Sequence, residues 1–146
     1  MEFFIRDEKG NKIATFIYFT ATDDCLDCKA IIVKKGSLMS KSAYCMEKWN
    51  DCKWIEDDRQ EAIKNAKVED HNDEYYILID DLMFKSPVKA ASIILGHIEN
   101  DAWNLIKNDD NKSLMEVYRA WLKEQFLNCS FLMNYVIISN EKNTKY

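Results

Sequence analysis

Glycine and proline are scarce in this sequence, at three and one among 146 residues. Strands and helices therefore follow one another without a glycine-rich turn, which points to an α+β fold with a mostly antiparallel sheet. Long apolar runs are missing too. The longest uncharged one, Ala90 to Gly96, falls far short of the ~20 residues a membrane span needs, and Met1-Glu2-Phe3 opens no signal-peptide pattern. No membrane association is expected, and the cytoplasm is the expected location. Nor is there an excess of base: 20 Lys and Arg face 25 Asp and Glu, a net charge of -5. A DNA-gripping domain instead clusters basic residues and has a pI above about 9. The five cysteines, Cys25, Cys28, Cys45, Cys52 and Cys129, are odd in number and follow no export signal, so they are expected to be reduced.

What the chain does have is core-forming material, with 47% hydrophobic and 12% aromatic residues. A domain of this size buries roughly 68–70% of its unfolded surface, and a disordered reading is excluded. The expected organisation is a single α+β domain over residues 1–116, with about five strands and two to three packed helices. Residues 117–146 follow as a C-terminal helix and a β-prone tail, packed on that domain or used in dimerisation.

The best-specified stretch runs from Ser86 to Gly96. Ser86 is suited to capping free backbone amides, Pro87 fits the first helical position, and Gly96 fits the left-handed residue that ends a helix. Val88, Ala91, Ile94, Leu95 and Ile98 share one face, so a short buried helix lying on a sheet is expected.

Around it, Phe3-Phe4-Ile5 and Ile13 to Phe19 flank the turn Asp7 to Asn11 and read as a hairpin. Lys29 to Lys35 reads as a third strand, ended by Gly36-Ser37. From Ser42 to about Lys67, Met46, Trp49, Cys52, Ile55, Ala62, Ile63 and Ala66 recur at helical spacing. Val68 to Glu74 reads as a charged loop, Tyr75 to Ile79 as a fourth strand, and Trp103 to Lys107 as a short fifth. Ser113 and Glu116 form a capping box for a last helix whose apolar face is Leu114, Val117, Trp121, Leu122 and Phe126. Phe131 to Ile138 is either a sixth strand or a surface that needs a partner, which makes a homodimer an option.

Charge is unevenly spread: residues 43–84 hold five basic and twelve acidic side chains, a net -7. An acidic surface of Trp54, Glu56, Asp57, Asp58 and Glu61 follows, with Trp54 as an anchor for a protein partner. Such a surface suits a stand-alone acidic inhibitor, of phage type, that enters the basic channel of a host nuclease or defence enzyme in part as a DNA mimic. Cys25 and Cys28 have the spacing of half a zinc site, but the second close pair is missing, so no metal and no cofactor is expected. His71 lies in a charged loop and His97 at a helix end. No serine or cysteine nucleophile has a recognisable elbow around it, and Asp80-Asp81 reads as a turn. No enzyme is expected; a metal-dependent hydrolase would rely on Asp80 and Asp81.

Several short motifs nevertheless carry a resemblance: Ala14 after the first turn, Lys34-Lys35-Gly36-Ser37, Phe84-Lys85-Ser86-Pro87 with Ala90-Ala91 and Leu95-Gly96, then Asn100 and a tryptophan. Together they resemble domain-of-unknown-function family 4357, found appended to GIY-YIG nucleases and restriction-modification proteins. More distantly the chain is similar to the RAMA domain, proposed to read modified DNA. The resemblance covers about Phe3 to Leu114. Where the family favours Asn-Gly followed by aromatics, this chain has Asn100-Asp101-Ala102-Trp103. The resemblance implies a non-catalytic binding module that contacts nucleic acid or a nucleic-acid-processing protein. Its expected contacts are Lys34, Lys35, Ser37, Lys85, Ser86, Lys89, Asn100 and Trp103.

Overall fold

A computed structural model describes residues 1–19, 31–42, 53–124 and 126–127. The expectations for Cys25, Cys28, Cys45, Cys52, Met46, Trp49, Cys129 and the stretch 131–138 lie outside the described residues. The chain divides into two compact units, Met1–Leu114 and Met115–Tyr146. The first unit holds β1 (Glu2–Arg6), β2 (Lys12–Tyr18), β3 (Ile31–Val33), β4 (Leu38–Ser40), α1 (Lys53–Lys64), β5 (Val68–Asp70), β6 (Tyr75–Leu78), β7 (Leu82–Phe84), α2 (Pro87–Leu95) and α3 (Ala102–Leu105).

The fold is α+β, but its strands form two antiparallel sheets rather than one of about five: β1-β2-β3-β7 and β4-β6-β5. The difference comes from β4, β5 and β7, which are three residues each and too short to show a period. Val68 to Glu74 is therefore not all loop. Its first three residues pair with β6 through backbone groups, which are indifferent to the exposed Glu69 and Asp70 side chains. Trp103 to Lys107 is not a strand. Residues 102–105 form the helical turn α3, and Lys107 alone pairs, exchanging hydrogen bonds of 2.7 and 3.0 Å with Phe4 on the edge of β1.

The hairpin forms as its turn chemistry requires. The Asp7 carboxylate accepts from the amides of Lys9 and Asn11, both at 2.9 Å, and Gly10 supplies a φ of 85°. Alternation then sends Phe3, Ile5, Phe16, Ile31 and Val33 into the core, where each is at most 2% exposed.

Helix α2 is the hub of this unit. Ser86 Oγ accepts from the Lys89 amide at 3.2 Å, and Gly96, at φ 78°, donates its N–H to Ser92 O at 2.8 Å. The helix packs against β3 and β7 of one sheet, β4 of the other, and α1 and α3. Being enclosed this way, it buries Pro87, Ala90, Ala91, Ser92, Ile93 and Ile94, wider than the single expected face; Val88, Leu95 and Ile98 are only half-buried. Among the described residues no helix is long and apolar enough to cross a membrane. A helix also covers residues 114–124, starting directly after Ser113, and within the second unit the Tyr118 and Trp121 rings stack at 6.0 Å.

Candidate functional site

Helix α1 presents a buried face and, beside it, a polar one. Ile55, Arg59 and Ala62 are buried. At 100° per residue, Trp54, Asp58, Glu61 and Asn65 fall within about 60° of one another on the next face. Glu56 and Asp57, about 100° apart around the helix, lie outside both of these faces and are exposed, Glu56 accepting from the Gln60 amide group at 2.8 Å.

The buried face is anchored by Arg59, 3% exposed, which the sequence reading passed over. Its Nη1 donates to Ile93 O at 2.7 Å, and its Nη2 donates to Ser40 O. Ile93 lies in the last turn of α2, whose carbonyls lack intrahelical partners, so the guanidinium supplies both a donor and a positive charge at a helix C-terminus. Burial lowers the pKa of this group, opposed by the charges of Glu56 and Tyr76. One clue was available beforehand: Arg59 sits four residues after Ile55 and three before Ala62, in phase with the apolar stripe.

Fixed this way, α1 faces β7 and the start of α2 across a groove of about 470 Å³. Asp58, Glu61 and Asn65 form one wall, Lys85 and Lys89 the other, with Ala62, Leu82, Phe84 and Ile93 contributing apolar surface. The Lys89 ammonium stands 5.9 Å from the centre of a Trp54 ring. Lys67, also on the groove, is bridged to Asp80 at 3.1 Å. Neither Lys85 nor Lys89 has a carboxylate within ion-pair distance among the described residues. The volume is within the range of ligand-binding clefts.

The structure thus brings together residues that the sequence reading assigned to two opposed surfaces, and separates others. Trp54, Asp58 and Glu61 of the acidic surface meet Lys85 and Lys89 of the basic one, while Glu56 and Asp57 do not line the groove. Lys34 and Lys35 do not join Lys85. They follow β3 at the end where Val33 pairs with Leu82, whereas Lys85 follows Phe84 at the other end, about 13 Å along the strand. Both are engaged locally: Lys34 bridges Glu2 at 3.0 Å, and the Lys35 amide donates to Asp81 at 2.7 Å. Ser37 is 3% exposed, its Oγ accepting from the Thr15 amide at 3.0 Å and donating to Thr15 O at 3.4 Å, so it ties β2 to the turn before β4. Ser86 is the cap of α2. Asn100 is exposed beyond the far end of α2, about 14 Å of helix from Ser86. Half-buried Trp103 packs edge-on against Tyr18 at 5.7 Å.

His71 is exposed, and His97 Nε2 lies 3.4 Å from Glu99 Oε2. Asp80 and Asp81 hold Lys67 and the Lys35 amide. Among the described residues no three His, Cys, Asp or Glu side chains are gathered as a metal site requires.

No curated protein and no solved structure matches this chain. A family profile matches residues 18–118, which take in β3 through α3 and with them both walls of the groove. The chain belongs to the family described as "Domain of unknown function (DUF4357)".

Proposed function

We propose that this chain is a non-catalytic binding module serving nucleic-acid processing, and that it docks the protein part of a nucleoprotein assembly in the groove between α1 and β7–α2. The observation that carries this reading is the pair of unneutralised lysines, Lys85 and Lys89, facing Asp58 and Glu61 across an apolar floor. A wall of each sign suits a polypeptide carrying both charges. A nucleic-acid backbone drawn to the lysines would bring its phosphates into the field of the two carboxylates. The nucleic-acid context comes from the resemblance of the Phe84-Lys85-Ser86-Pro87 stretch to modules appended to nucleases and restriction-modification proteins. RAMA-like reading of methylated DNA is the form this takes if the lysines contact DNA directly.

The test has two parts. Random linear heptapeptides displayed on phage and panned on the full chain should yield binders that lose at least tenfold in affinity on the variant Lys85→Glu with Lys89→Glu. Binders indifferent to that variant would refute the groove as the docking site. Fluorescent duplex DNA, adenine-methylated and unmodified, should show no saturable binding at physiological salt. Salt-resistant binding that the same variant abolishes would turn the reading to a nucleic-acid reader.

A second reading, the acidic inhibitor, is favoured by Glu56 and Asp57, which are exposed on α1 and do not line the groove. It retains only those two of its four carboxylates clear of the groove, since Asp58 and Glu61 line it. Reversing the charges of Glu56 and Asp57 should leave peptide binding in the groove unchanged, and lost inhibition of a host nuclease by that variant would favour the inhibitor.

A further inference from the structure

We infer that the groove takes its partner as an extended strand added to the free edge of β7, a deepening that rests on the docking function proposed above. Three consecutive residues, Leu82, Met83 and Phe84, line the groove. Successive side chains of a strand point to opposite faces, so a groove touched by all three runs along the strand's edge.

The backbone pattern shows which groups are offered there. The Lys34 amide donates to Thr15 O at 2.9 Å, so the backbone of Lys34 faces β2. Alternation turns Ile32 the same way and sends Ile31 and Val33 toward β7. Their register partners Phe84 and Leu82 are then the hydrogen-bonded positions. Met83 is left with its N–H and C=O pointing outward into the groove, and β7 ends the order β1-β2-β3-β7 with no further strand beside it among the described residues. The opposite edge of the same sheet is already used by Lys107, which bonds to Phe4. The Met83 side chain, 69% exposed, lies on the outer face of the sheet and leaves the edge accessible.

The occupant is an extended peptide segment of mixed charge. Its backbone pairs with Met83, an acidic side chain reaches Lys85 or Lys89, and a basic one reaches Asp58 or Glu61. Three residues of β7 span about 10 Å, so the contact is short, and the charged walls set the register.

Heptapeptides selected on the full chain provide the probe. Met83→Pro removes the outward N–H while leaving the bonds of Leu82 and Phe84 to β3 intact, and proline is tolerated at such an edge. This variant should keep the wild-type unfolding midpoint within a few degrees and lose peptide affinity tenfold or more. Independently of that variant, methylating alternate backbone nitrogens of the peptide should abolish binding in one phase and spare it in the other. Peptides that lose affinity on the Lys85→Glu, Lys89→Glu chain but bind Met83→Pro normally and tolerate N-methylation in both phases would overturn strand addition and leave the groove standing. Peptides indifferent to all of these changes, or a library that yields none, would remove the docking function as well. A wild-type dimer that Met83→Pro converts to a monomer would show that a second copy takes the edge, and would overturn the peptide assignment.

Discussion

The Lys89 ammonium lies 5.9 Å from the centre of a Trp54 ring, across the boundary between α2 and α1. That contact joins a helix in the segment of net charge -7 to the lysines beside the one proline in the chain. Charges on either wall should therefore affect each other's ligands. Asp58→Lys with Glu61→Lys removes the negative wall, and low-salt affinity for duplex DNA should rise at least tenfold by anisotropy. No change would mean that the carboxylates do not shape the potential felt by a ligand at Lys85 and Lys89.

Arg59 makes a second prediction. Arg59→Met keeps an unbranched apolar stem but leaves the carbonyls of Ile93 and Ser40 without their donor. Each buried unsatisfied group costs about 1–3 kcal/mol, so urea unfolding should show a loss of about 2–6 kcal/mol. A loss below about 0.5 kcal/mol would show that the guanidinium does not hold α1 to α2 and β4.

The caps of α2 give a third. Ser86→Ala should cost about 1 kcal/mol, because the Lys89 amide loses its acceptor. Gly96→Ala should cost about 1 kcal/mol or more, because Gly96 has φ 78°. Both are read as shifts of the thermal midpoint. Equal stability of both variants with the wild type would contradict the role of α2 as hub.

These caps were legible in advance because capping is local: Ser86, Pro87 and Gly96 act within a turn of the residues they serve. The hairpin at Asp7 to Asn11 was legible for the same reason. The groove was not. It depends on β7 pairing with β3, which lies about fifty residues earlier, and a three-residue strand shows no alternation to read. Arg59 is in phase with the apolar face, but nothing in its neighbours reveals the two carbonyls that receive it. The split of Lys34 and Lys35 from Lys85 likewise follows from the antiparallel register of β3 and β7, and proximity to similar motifs does not reveal it.

Acid stability supplies a fourth prediction. Hydrogen bonds from Lys12 and Arg6 hold the Asp109 carboxyl below the usual carboxylate range, and the Asn11 amide does the same for Asp7. With the folded-state pKa below the unfolded one, their contribution is complete above the ordinary carboxylate range. It is lost as the pH falls through the folded-state values. Asp109→Asn should therefore flatten the acid limb of a stability–pH curve while leaving its slope near neutrality unchanged. An unaltered acid limb would mean that Asp109 does not contribute to it.

The most direct measurement is amide hydrogen exchange at Met83, resolved by NMR on the full chain with and without a peptide selected for binding. The Met83 N–H faces outward from β7, so it should exchange freely in the unbound chain and slow at least tenfold when the peptide is bound. The neighbouring Leu82 and Phe84 amides, already paired with β3, should change far less. Slowed exchange confined to Glu56 and Asp57, or to Lys34 and Lys35, with Met83 unaffected, would contradict the groove as the place where this protein meets its partner.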